Sequence, residues 1–327
     1  MPKRTDNRRN VVSRKTSRPE VPAPERKERL PWEEPKPLEE DPEGPAKLQA
    51  ILNSPSYRPA VEDLEFLDSD DARGVRLQLD FLKPDRRLTE HDVRHTIVVF
   101  GSTRLVELAA AAKKVEVLRD ALSLQTKDTE LQRRLIVAER VLAKSQYYEV
   151  AREFGGLVAD AGHGPNDSSL VVLTGGGPGL MEAANRGAHE VGAKTVGLNI
   201  TLPHEQFPNP YVTPELCFQF HYFALRKMHF MMRARALVAF PGGFGTFDEL
   251  FETLTLIQTR KIDPLPVVLV GEEYWRKVID FDFLVDEGMI DFEDRELFWY
   301  AETAEQIWEG LLSWYEQSGE DLIQSDS

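Results

Sequence analysis

The stretch Ala236-Leu237-Val238-Ala239-Phe240-Pro241-Gly242-Gly243-Phe244-Gly245-Thr246-Phe247-Asp248-Glu249 decides how this chain is read. Five apolar residues suit a strand buried on both faces. The glycines break it. Leu250, Phe251, Leu254 and Ile257 then recur at helical spacing. A strand that turns through glycines into a helix is an anion-binding device. Glycine lets a ligand approach the backbone, and the first helical turn offers unpaired N–H groups. Glu249 is the odd member, because a site built only to hold phosphate would avoid a carboxylate there.

The same alternation runs outward from this stretch. His95–Phe100, Ser169–Thr174, Lys194–Ile200, Leu216–Phe220 and Pro266–Val270 are further strand candidates, each followed by a helical pattern except Lys194–Ile200, which leads into a proline-rich loop over Leu202–Pro214. Strand and helix in turn predict an α/β protein with a doubly wound parallel sheet. The interval from Leu105 to about 150 is longer than a simple crossover needs, and it predicts a helical hairpin inserted there. Its two stretches are Ala109–Leu124 and Thr129–Phe154. Residues 46–94 read as a helical lead-in packed on the main domain. Lys47–Asn53 and Asp71–Leu82 are its helices, the second closed by Pro84. Glu272–Val285 and Ala304–Tyr315 read as closing helices. Residues 1–45, rich in proline, with basic residues from Lys3 to Arg18 followed by acidic ones, predict a disordered tail. The main domain is thus 95–327.

Composition removes several classes of function. The chain has 327 residues and a formal net charge of −15, so nucleic acid is not an expected partner. The single Cys217 excludes an intrachain disulfide and a cysteine-based zinc site. No apolar run approaches a membrane span and no signal-peptide core is visible, which predicts a cytoplasmic protein without a membrane partner. His204-Glu205 lacks the H-E-x-x-H spacing, so no metal site is expected.

Gly175-Gly176-Gly177-Pro178-Gly179 forms a second strand–glycine–helix turn. Two such turns in one sheet predict one phosphate gripped from both sides. Neither has the Gly-Lys-Ser/Thr of a Walker A loop. The spacing of the glycines at 175–179 is not G-x-G-x-x-G, and no acid ends the next strand. A nucleotide smaller than NAD is therefore favoured. Glu249 has two readings. Thr246-x-x-Glu249 is a capping box. Alternatively, with Glu252 one turn on and Arg226-Lys227 nearby, it is a carboxylate for breaking a glycosidic bond beside a phosphate, kept ionised by the helix N-terminus. His221 and His229 read as packing or rim residues. Met228, Met231 and Met232 read as core or a soft lining for a base, and Phe244 and Phe247 as base-stacking or packing rings.

At Pro241–Glu249 the sequence resembles the PGGxGTxxE signature of the LOG ("lonely guy") family, long labelled "possible lysine decarboxylase". Gly175–Glu182 is similar to that family's second glycine loop and Gly101-Ser102 to its first-strand turn. Arg226-Lys227 falls where the family carries an Arg-Lys pair. The resemblance covers roughly Thr96 to Tyr274. It implies a Rossmann-like enzyme that hydrolyses the N-glycosidic bond of a nucleoside 5′-monophosphate, AMP or a cytokinin nucleotide, giving free base and ribose 5-phosphate. It further implies no cofactor and a homodimer or larger homo-oligomer. Arg226 and Glu249 match the catalytic pair. Gly242, Gly243, Gly245 and Thr246 match the phosphate turn, and Gly101, Ser102, Gly175, Gly176, Gly177, Gly179, Lys227 and Glu252 complete the expected site. The competing reading is a non-catalytic nucleotide or cofactor carrier on the same fold. No lysine context suits a pyridoxal phosphate Schiff base, so the decarboxylase label finds no support. The tail, lead-in and insert are absent from the compact plant-type members.

Overall fold

A computed structural model describes residues 24–26, 28–161, 169–203 and 207–323. The basic part of the tail and His204-Glu205 lie outside these. The chain divides into two units, Met1–Ser69 and Asp70–Ser327. In the first, α1 (Gly44–Leu52) and α2 (Leu64–Asp68) bury none of their residues. Asp63 caps α2 by accepting the Phe66 N–H.

The second unit begins with α3 (Arg73–Glu90) and β1 (His95–Phe100). The first crossover holds α4 (Leu108–Leu124), α5 (Thr129–Leu142) and α6 (Gln146–Ala161). β2 (Leu170–Thr174), α7 (Leu180–Glu190), β3 (Thr195–Ile200) and β4 (Cys217–Phe220) follow. After α8 (Phe223–Met232) come β5 (Ala234–Ala239), α9 (Phe244–Gln258) and β6 (Val267–Val270). The unit closes with α10 (Glu272–Val278), α11 (Phe281–Asp286), β7 (Phe298–Ala301) and α12 (Ala304–Ser318). The seven strands form one sheet in the order β4-β3-β2-β1-β5-β6-β7, every pair parallel. This is the doubly wound, Rossmann-like architecture.

The period-2 geometry of a strand divides β1 between two cores. Ile97 and Val99 join α6, α7 and α12 on one face. Val98 and Phe100 join α3, α8, α9 and α10 on the other. Burial on both faces is why the strands read as continuous apolar runs.

Four details differ from the sequence reading. Pro84 sits inside α3 rather than closing it. The turn beyond it is held by tertiary contacts, with Leu88 fully buried and Asp85 accepting from Arg233 at 2.9 Å. The helix expected over Thr129–Phe154 is two helices, because α5 pairs with α4 whereas α6 packs on the sheet. The pattern at Glu272–Val285 is likewise two helices. Asp280 accepts the Phe283 N–H and starts α11 afresh. Finally, β7 was not anticipated. Its partly exposed edge position favours Phe298-Trp299-Tyr300 over the aliphatic run of a central strand.

Helices α6 and α7 approach closely through paired glycines. A Cβ at Gly155 would stand 2.1 Å from the Ala184 carbonyl oxygen, and one at Gly187 1.7 Å from that of Arg152. Gly187→Ala should therefore destabilise the protein by about 1–3 kcal/mol through overpacking. Gly74→Ala, where a Cβ meets nothing within 4 Å, should be neutral or stabilising by up to about 1 kcal/mol. Urea unfolding of the two variants checks the contrast.

Candidate active site

The strand order reverses at β1, whose neighbours are β2 and β5. In open α/β sheets the crevice beyond the strand ends at such a point receives the ligand. A cavity of about 610 Å³ lies there. Gly101 and Ser102 reach it from the end of β1 and Arg226 from α8. Gly242, Gly243, Gly245, Thr246 and Glu249 reach it from the turn between β5 and α9.

The β5–α9 turn presents free donors. Gly243 is the N-cap of α9, and no side chain caps it. Thr246 and Phe247 donate their N–H groups back to the Gly243 carbonyl, whereas those of Phe244 and Gly245 make no hydrogen bond among the described residues. The glycines here divide by role. A Cβ at Gly242 would collide with Thr246 Oγ1 at 2.1 Å, so that position is internal packing. A Cβ at Gly243 or Gly245 would meet no protein atom within 4 Å, and neither residue has a positive φ. Neither packing nor backbone conformation calls for glycine at these two positions. Their bareness leaves room for something outside the protein.

The capping box is absent. Helix α9 begins at Phe244, so Thr246 is its third residue and Glu249 lies in its second turn, too deep to cap its end. Glu249 is only 7% exposed, and its carboxylate stands 4.0 Å from the Arg226 guanidinium. Burial pushes the carboxyl pKa up to about 7, and Arg226 and Lys227 restrain it from rising further. This corrects the expectation that the helix N-terminus keeps Glu249 ionised. Desolvation outweighs the helix dipole, which fades beyond the first turn. Arg226 is itself desolvated. Burial works against its charge, while Glu249 and Asp248 support it. Its Nε donates to the Leu198 carbonyl at 2.7 Å and its guanidinium lies over the Phe230 ring.

The second glycine loop does not line the cavity. One of its N–H groups and two of its carbonyls are committed internally. The Gly176 N–H donates to Thr174 Oγ1, and Asn209 donates to the carbonyls of Gly176 and Gly177. Asn185 ties the cluster together by accepting from Thr174 and donating to Thr195. Gly179, at φ +76°, lets the chain pass the Ser102 carbonyl. Gly175 leaves the space that the Arg226 guanidinium fills, since a Cβ would stand 2.7 Å from Nη2. Lys227 and Glu252 also lie off the cavity wall. Lys227 bridges Asp248 and Glu252 at 2.8 and 2.9 Å. Burial works against its charge, yet these two acids hold its pKa above the usual value.

Several residues on the wall escaped the sequence reading. Tyr274 donates its hydroxyl to the Gly242 carbonyl and so braces the turn. Lys144, Arg104, Met181 and Phe223 also line the cavity. Lys144 lies in the crossover that sequence spacing alone could not fold back onto the site. His229 is a packing residue, between Phe81 and Phe220, and its Nε2–H donates to the Phe81 carbonyl at 3.1 Å. The backbone N–H of exposed His221 donates to Asp80. Phe247 packs edge-on to Trp275. Met228 and Met232 are exposed, off both the core and the cavity. No group of three His, Cys, Asp or Glu among the described residues could hold a metal ion, and no helix there is long and apolar enough to cross a membrane.

Residues 181–311 match the family model described as "Possible lysine decarboxylase". A cytokinin riboside 5′-monophosphate phosphoribohydrolase of Arabidopsis thaliana is 28% identical over 50% of this chain and 74% of its own length. A probable enzyme of the same name from Oryza sativa subsp. japonica is 32% identical over 42% of this chain and 56% of its own. This chain thus spans little more than half the length of the second relative. The solved molybdenum cofactor binding protein of Rippkaea orientalis is 23% identical, with a TM-score of 0.34, over 51% of this chain and 86% of that one.

The buried carboxyl should be visible in stability. A carboxyl whose pKa rises from 4.5 to about 7 on folding loses stability for the fold as pH climbs through that window. Glu249→Gln should therefore gain on the parent protein between pH 4.5 and 7 and level off above it. The gain is at most about 3 kcal/mol. Urea midpoints of both proteins across pH 4.5–8.5 test this, and parallel curves would show that Glu249 is not desolvated.

Proposed function

We propose, on the premise that this chain is a relative of the LOG family across its two glycine motifs, that it is a nucleoside 5′-monophosphate phosphoribohydrolase. It hydrolyses the N-glycosidic bond of AMP or a cytokinin riboside monophosphate to free base and ribose 5-phosphate. The observation that carries this reading is the carboxyl of Glu249, tuned to neutrality beside Arg226 and one turn beyond a bare, amide-rich helix start.

In this reading the 5′-phosphate sits on the Gly243–Thr246 turn, where free N–H groups and the helix dipole favour an anion. Ser102 and Gly101 close the other side. Glu249, farther along the same helix, then faces the sugar rather than the phosphate. Bond cleavage leaves positive charge on the ribose and an electron pair on the base. Ionised Glu249 stabilises that charge and takes a proton from the attacking water. A carboxylate with a pKa near 7 is a stronger base than one near 4.5 and still ionised in part at neutrality. Arg226 anchors the anionic substrate and keeps the Glu249 pKa from rising beyond use. Gly175, Gly176, Gly177 and Gly179 act from behind by shaping the wall and seating Arg226. Lys227 and Glu252 fix Asp248 and the rim. A homodimer suits the 94% exposed ring of Phe244 at the cavity mouth.

The test is incubation of the full chain with AMP, GMP, CMP, UMP and isopentenyl-adenosine monophosphate, with free base measured by chromatography. Release of base from at least one is expected, with kcat rising through about pH 7. Glu249→Gln should lower kcat by roughly 10³-fold. Arg226→Ala should move the pH limb upward, because it removes the cation that lowers the Glu249 pKa. Binding of a monophosphate with no base released would instead favour a nucleotide carrier. A kcat that falls through pH 7 would reassign Glu249 as the acid that protonates the departing base.

A further inference from the structure

The inserted hairpin of α4 and α5 encloses a second cavity, of about 720 Å³, against the loop that follows β1. Thr103 and Arg104 line both this cleft and the candidate active site. Four cations, Arg104, Lys114, Arg133 and Arg134, face it against one acid, Glu130. Arg133 pairs with Glu130 only at 3.9 Å. Arg104, Lys114 and Arg134 have no ion pair among the described residues. What sets them apart is that they converge on one concavity. Elsewhere on the hairpin Arg119 holds Glu139 at 2.7 Å, and at its base Arg186 holds Glu107. Unpaired like charges gathered in one concavity repel one another and raise the local potential for an anion. Between them the floor is apolar, formed by Ala111, Leu118 and Ala138. The volume falls in the range of small-ligand sites.

We propose that this cleft binds a polyphosphate group, separate from the monophosphate site and joined to it through Arg104. Three cations drawn from a loop and two helices match a chain of several negative charges better than a single phosphate. Such a chain comes either from a nucleoside di- or triphosphate, whose base the apolar floor would accept, or from inorganic polyphosphate. The proposal concerns binding alone and stands independently of the hydrolytic reading.

The test is calorimetric titration of the full chain with inorganic triphosphate and with ATP at low salt. Binding is expected to weaken as salt rises. The double variant Lys114→Ala/Arg134→Ala should bind inorganic triphosphate roughly ten-fold more weakly. Thr246→Val, in the other cavity, should stay within about two-fold of the parent, given the separation of the sites. Both replaced cations are exposed, and circular dichroism verifies that the fold is kept. ATP binding more tightly than inorganic triphosphate identifies the nucleotide as the source, and equal affinity identifies the inorganic chain. Both results uphold the cleft. Unchanged affinity in the double variant, or loss confined to Thr246→Val, overturns it. So does a parent protein that binds neither probe and whose mass in solution falls with the double variant, which would assign the cations to a contact between copies.

Discussion

A carboxyl and a guanidinium, both taken out of water and held 4.0 Å apart, set the demands that the surrounding structure meets. Neither group would stay there unaided, because each loses hydration that the other only partly replaces. Arg226 is held from several sides. The Leu198 carbonyl accepts from it, the missing side chain of Gly175 gives it room, and Phe230 lies beneath it. Its helix is held in turn by α3. Asp80 accepts the N–H groups of His221 and Tyr222 just before α8 begins, and Asp85 holds Arg233 just after it ends. Glu249 is positioned from the opposite direction, by the β5–α9 turn and the Tyr274 brace on Gly242. The pair is thus the meeting point of two independently anchored helices, and its separation is fixed by the sheet rather than by mutual attraction.

The two glycine loops differ in which of them faces the cavity. In the turn ahead of α9, the N–H groups of Phe244 and Gly245 have no partner among the described residues. In the loop after β2, the polar groups close on Thr174, Asn185 and Asn209. A buried side-chain network of this kind stiffens the wall. A turn with vacant donors can answer a ligand. The two stretches look alike as glycine-rich strand ends, and only their placement in the fold separates a wall from a binding surface.

That difference marks the limit of what the sequence disclosed. The parallel sheet was legible because six of its seven strands show as short, mainly apolar runs, and the hairpin because the first crossover is too long. Arg226 and Glu249 were legible as chemistry from their spacing around a glycine turn. The raised pKa of Glu249 was not, because it depends on how completely neighbouring elements exclude water. The capping box failed for a related reason. Thr246-x-x-Glu249 has the right spacing, but the helix starts at Phe244, three residues before the start that a capping box at Thr246 would set. Asn185, Asn209, Tyr274 and Lys144 lie at sequence distances over which spacing carries no information. Tyr274 arrives only because α10 follows β6, next to β5 in the sheet.

The hairpin shows how an insertion can border a site without deforming it. Helix α6 does the work of the first crossover, packing on α7 and the sheet. The hairpin keeps its own small core, in which Val115, Leu118 and Ala138 meet Leu131, Leu135 and Leu142. It is pinned near its start by Glu107 on Arg186, while Arg186 also holds Glu190. Because that core is separate, side chains on the hairpin can change with little cost to the main domain. One continuous route from hairpin to site is the Thr103–Arg104 segment, directly after the Ser102 that lines the cavity; Lys144, just beyond α5, reaches that cavity from the other end. Ser102 Oγ accepts the Arg104 N–H at 3.1 Å, so the backbone of Arg104 is tied to the site even as its side chain faces the cleft. An anion drawing on Arg104 would therefore pull on the rim of the candidate-site cavity and leave the sheet and the Arg226–Glu249 pair in place.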